Sequence, residues 1–170
     1  PLYRIYAKYP KDKNGTVWFN KMGKITTNLP IKYIIPIDDE SGLIMISYTD
    51  GLYAKRLFNI IHNDDSTNDS TNASTNNYDN NTIKILNKYL KKLFPTISIP
   101  DPIWIKHHYW HGGAAYWKKG CDSNILVKQI INPLKNIYIC GENYSNHQAW
   151  IEGALETSNM VLTKIKENEL

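Results

Sequence analysis

The chain has 170 residues, 42% of them hydrophobic and 21% charged, a balance that fits a folded globular protein and excludes a fibre or a solvated tail. Its net charge of +4 is spread along the sequence rather than gathered in one block, which gives little support to nucleic-acid binding. No apolar run approaches the roughly 20 residues of a bilayer span.

From the amino end, Tyr3 to Tyr9 alternates in β-forming residues and predicts an opening strand, closed by Pro10 and Gly15 before Val17-Trp-Phe19. Two further apolar runs, Ile31–Ile37 and Gly42–Tyr48, flank Asp38-Asp-Glu-Ser-Gly42, which has the chemistry of a hairpin turn. Asp50 to Phe58 predicts a short helix with Tyr53, Leu57 and Ile60 on one face. Residues 63–81 are Asn-, Asp-, Ser- and Thr-rich with almost no apolar side chain, the composition of a mobile low-complexity insertion. Thr82 is placed to cap an amphipathic helix running to Phe94, its lysines forming a solvated side. Ile103–Trp110 predicts a strand leading to the Gly112-Gly113 turn, and Ser123–Ile131 a short helix. Ile137–Ile139 predicts a last strand, followed by a helix from near Trp150. The fold class expected is therefore α+β, a mixed and largely antiparallel sheet with flanking helices plus a terminal strand-helix unit.

The chain begins Pro1-Leu-Tyr-Arg-Ile-Tyr, without an initiator Met or a signal-peptide pattern, as an excised domain or truncated chain would. Cys121 and Cys140 are too few for a disulfide scaffold, so a reducing, cytoplasmic compartment is expected. His107 and His111 stand four apart, but on a strand and without an acidic or Cys ligand beside them, so a structural or surface role outweighs a metal site and no metal is expected.

Two stretches carry chemistry. In the first, residues 137–158, a strand delivers Gly141 and Glu142 to its carboxyl end, where a carboxylate can accept hydrogen bonds from polyol hydroxyls. The following helix aims free N–H groups at the same place. Gly153 and Ala154 imply that this helix lies close to a sheet or a flat ligand. In the second, Trp110–Gly120, two glycines allow close backbone approach to a planar ligand and the aromatics supply walls.

These residues resemble the carboxyl-terminal signature of the flavin-containing amine oxidases, the monoamine and polyamine oxidase family, in which Gly-Glu leads through a short loop into aromatic-x-Glu-Gly-Ala. The resemblance implies FAD as cofactor. Glu142 would bind its ribityl and diphosphate portion, with Gly141 and Ser145 in the same segment, and the backbone of Ile151 would face the flavin. Gly112 matches the family's turn glycine, and Tyr116 and Trp117 its later aromatics. Ala114 and Ala115 stand where members with two cage aromatics place one, which leaves Trp150 as the aromatic wall of a substrate cavity also lined by Tyr116 and Ala115. No Cys lies within the glycine turn, so the flavin is expected to be non-covalent. Arg4 occupies the position of a catalytic lysine that holds a water against the flavin, and an arginine there keeps the charge but never gives up its proton.

The family's Gly-x-Gly-x-x-Gly turn is absent from these residues. The organisation implied is thus residues 1–110 as the substrate-binding part, containing the 63–81 insertion, and 111–170 as the carboxyl-terminal part of an FAD-binding domain. The implied partners are a small-molecule amine and an amino-terminal FAD-binding half, with no nucleic acid. The alternative is a catalytically inactive flavin-binding or structural descendant of the same fold.

Overall fold

The computed structural model describes residues 1–62 and 75–168. The chain divides into two units, Pro1–Gly113 and Ala114–Leu170. Together they hold a five-stranded antiparallel sheet and, among the described residues, four α-helices.

In the first unit, strict alternation makes β1 (Leu2–Lys8) two-faced: Tyr3, Ile5 and Ala7 are buried, while Leu2, Arg4 and Tyr6 lie half-buried on the other side. β3 (Tyr33–Asp38) and β4 (Leu43–Asp50) form the expected hairpin, and a two-residue β2 (Ile25–Thr26) pairs with β3. The Asp38 carboxylate accepts the Glu40 and Ser41 N–H groups at 3.0 and 3.2 Å and so closes the turn. Gly42 ends it at φ +74°, where a Cβ would collide with the Tyr9 carbonyl. β5 (Trp104–Trp110) adds to the free side of β1, giving the order β2-β3-β4-β1-β5.

Helices α1 (Gly51–His62) and α2 (Thr75–Leu93) cover the Tyr3 face. Ala54, Leu57, Ile61, Ile85, Leu86 and Leu90 join Ile5, Ile34, Ile44 and Ile46 in one buried core. The helical phase of α1 differs from the expected one. Ala54 and Ile61 are buried beside Leu57, while Tyr53 is exposed, because the small Ala54 lets the helix approach the sheet. Thr82 does not cap α2. It lies fully buried inside a helix that starts at Thr75, and the Asn81 amide donates to the Ile61 carbonyl at the end of α1. The Asn-rich stretch from 75 to 81 is thus helical, its poor propensity overridden by the α1 contact. The remainder of the expected mobile insertion, residues 63–74, lies outside the described residues.

In the second unit, Asp122 caps α3 (Ser123–Ile131) by accepting the Asn124 N–H at 3.0 Å. Val127 and Ile131 pack on Val161 of α4 (Ile151–Asn168), with Trp117 and Tyr138 alongside. The strand expected over Ile137–Ile139 does not form. One isolated bridge joins Leu134 to Ile137, and the Ile139 N–H goes to the end of α3 at 3.0 Å. A strand requires a ladder, and among the described residues no neighbouring strand pairs with this segment. Cys140, just after this segment, is exposed. No described helix is long and apolar enough to cross a membrane.

Candidate functional site

The Gly-Glu turn and the start of α4 are brought together within the second unit. Gly141 adopts φ +142°, a conformation open to glycine, and hands the chain to a single 3-10 turn, Glu142–Tyr144. From there the Glu142 side chain reaches forward and one carboxylate oxygen accepts the Ala149 N–H at 2.7 Å, two residues before α4 begins. Its other oxygen takes no hydrogen bond among the described residues, and neither do the amides of Ile151 and Glu152 that open the helix. An acceptor and a pair of donors therefore share one helix mouth, a chemistry suited to a ligand with both hydroxyl and anionic groups.

The loop between them is held by internal hydrogen bonds. The Ser145 hydroxyl is buried, donates to the Glu142 carbonyl at 2.8 Å and accepts the His147 N–H at 3.0 Å, so this side chain acts within the loop. Trp117 donates from its indole Nε1 to the Ser145 carbonyl at 2.9 Å and from its backbone to Gln148 Oε1 at 2.8 Å. Gln148 in turn donates to the Asn143 carbonyl at 2.7 Å. Gly153 is required because a Cβ there would strike Ser145 Oγ and the His147 carbonyl. The close neighbour of this glycine is the loop, rather than the sheet or flat ligand that small residues in a helix suggested. Thr157, one turn further on and fully buried, accepts the Gly141 N–H at 2.9 Å and ties the turn to the helix.

Of the residues singled out from sequence, Glu142 and Ile151 stand at this mouth and Gly141 leads the chain into it, while Ser145 and Trp117 fasten the loop between. Trp150 and Ile151 stand 70% and 77% exposed at its rim, and Tyr116 is 78% exposed beside half-buried Ala115. Gln148, Ala149 and Thr157 were not anticipated. The positive φ of Ala149, 69°, leaves no mark in the residue type, and Thr157 on a helix reads as an ordinary polar position.

Arg4 and Gly112 belong to the first unit. The Arg4 guanidinium donates through Nη1 to the Thr49 and Tyr3 carbonyls at 2.6 and 3.2 Å and lies 3.3 Å over the Tyr48 ring. It sits in a cross-strand row, Tyr48–Arg4–His108, beside a second row, Met45–Tyr6–Lys106, on the sheet face opposite the helices. Trp104 and Trp110 end this face at the edge strand. His107, on the helix side, is bonded to the Tyr3 hydroxyl at 3.1 Å, and its ring lies 5.8 Å from that of His62. Burial, and secondarily His107, hold the His62 imidazole below its usual pKa.

No family model matches the chain. Over 148 residues, 84% of its length, it is 28% identical to "Uncharacterized protein R188" of Acanthamoeba polyphaga mimivirus. The chain spans 28% of the length of that protein.

Proposed function

We propose that the chain is the substrate-side sheet and closing segment of an FAD-dependent amine oxidase. The observation that carries this reading is the Glu142 carboxylate bound to the Ala149 N–H, two residues before the open amides that begin α4. The residues present fit the cofactor there: an acceptor for ribityl hydroxyls, helix-end donors for an anionic or carbonyl edge, and a Gly141 backbone that no Cβ obstructs. FAD, when bound, supplies the hydride acceptor that turns the amine into an imine, with oxygen restoring the oxidised flavin. The chain's own residues would orient and enclose. Glu142 and the Ile151 amide would hold the cofactor, the Trp117–Ser145–Gln148 bonds keep the loop in place, and Trp150 with Tyr116 would offer aromatic walls to an uncharged amine.

The test is a longer protein that includes an upstream dinucleotide-binding half. It should purify yellow, and Glu142→Gln should weaken FAD binding about tenfold, the equivalent of one hydrogen bond to a charged acceptor. A longer protein that is colourless and cannot be reconstituted with FAD overturns the reading. Arg4 favours the alternative of reduced or lost turnover, because its guanidinium is already committed to two carbonyls and a tyrosine ring. Peroxide release across a panel of amines separates an active oxidase from a silent flavin binder.

A further inference from the structure

The two helices covering the sheet carry a predominantly basic surface from Gly51 to His62 and from Asn80 to Leu93. Outward from the core, α1 presents Lys55 and Arg56, and α2 presents Lys84, Lys88, Lys91 and Lys92, all exposed. Gly51–His62 contains no acidic residue, and neither does the stretch from Asn80 to Leu93. The positions 84, 88, 91 and 92 recur at helical spacing and so form one stripe. Arg56 links that stripe to α1, standing near enough to Tyr89 of α2 to oppose the rise that burial gives its phenol. Among the described residues the only ion pair joins Lys164 to Glu167, in the other unit, and the carboxylate that meets α2, Asp101, accepts the Asn87 amide at 2.6 Å without an ion pair to the stripe.

Apolar groups lie among the cations. Leu52 is 84% exposed, and with Lys55, Arg56, Asn59 and Ile60 it lines a shallow basin of about 460 Å³. A single-stranded nucleic acid would call for free aromatic faces between the cations. Here the exposed apolar side chains are aliphatic, and the Tyr53 ring is covered by the Lys32 ammonium at 3.7 Å. A plane of long cationic stems around a protruding leucine suits an anionic lipid surface instead. The ammonium groups reach phosphate and carboxylate headgroups while the leucine enters the acyl boundary.

We infer that the α1–α2 layer is a peripheral docking surface for an anionic membrane. This inference is independent of the flavin reading, which concerns the other unit. The layer associates reversibly, and salt screening releases it.

Sedimentation of the full chain with phosphatidylcholine vesicles, with and without phosphatidylserine, tests it. Binding is expected only to the vesicles containing phosphatidylserine, and it should fall steeply between about 0.1 M and about 0.5 M salt. The variant Lys84→Gln, Lys88→Gln, Lys91→Gln, Lys92→Gln should lose about a hundredfold in affinity or more, and Leu52→Ser about fivefold, with unchanged circular dichroism. Equal binding to neutral vesicles overturns the proposal, as does full affinity in the four-lysine variant. An oligonucleotide that binds the layer while anionic vesicles do not would assign the surface to nucleic acid and equally overturn it.

Discussion

A methyl group at position 153 has nowhere to go, since Ser145 Oγ and the His147 carbonyl already fill the space. Gly153→Ala should therefore destabilise the chain by about 1–3 kcal/mol, the usual cost of overpacking, read as a lower midpoint in denaturant. Thr157→Val keeps the shape but leaves the Gly141 N–H without its acceptor, which should cost about 1–3 kcal/mol in the same assay. His62 sets a pH dependence. Burial depresses its folded pKa, so the folded state takes up its proton later than the unfolded chain does. The contribution is intact above the ordinary imidazole value of about 6.5 and is lost as pH falls through that value toward the lower folded one. Melting temperatures at about pH 7.5 and about pH 5.5 should show the loss, and His62→Phe, stacked on Phe58, should reduce it. The turn carboxylates Asp12 and Asp38, held low chiefly by hydrogen bonds to Thr16 and Ser41, act in the same direction only in more acid solution. At this scale the turn at Gly141 and Glu142 ahead of a helix was legible from residue type, though not the absence of a strand before it. The sequence was opaque where a role depends on a distant partner, as with Thr157 and the internal bonds of Ser145.

The elements of the first unit follow from their patterns. Alternation in β1 and β4 and the Asp38–Gly42 turn give the hairpin and central strands directly. Where patterns failed, a tertiary contact had overridden them. α2 begins at Thr75 in spite of its Asn-rich opening because Asn81 is anchored on α1, and no periodicity within 75–81 announces that. At Ile137–Ile139 the β-branched run is present but the ladder is not, because strand formation depends on a neighbour as much as on propensity. α4 has a similar asymmetry: Val161 is buried while Ile151, Leu155 and Leu162 remain exposed on its outer side. Leu155→Glu with Leu162→Glu should change the melting of this chain by no more than about 0.5 kcal/mol, as for surface sites. By contrast, Leu57→Ala in the α1 core should cost about 2–5 kcal/mol.

At the level of the whole molecule, the sheet and its two helices form one unit and the Gly-Glu turn, α3 and α4 another, with Gly113 as the last residue of the first. The antiparallel sheet and flanking helices were readable from the order of apolar runs, but the place of β5 beside β1 was not, because no local signal tells a distant strand which edge to join. That arrangement matters during synthesis. Leu2 lies opposite Trp110, so one side of β1 stays unzipped while some sixty residues after β4 are translated, an interval on the order of ten seconds at ordinary elongation rates. A nascent chain of this sequence exposes a bare, aromatic-rich edge for that time. It is there, before β5 emerges from the ribosome, that chaperone capture or mispairing between neighbouring polypeptides should concentrate.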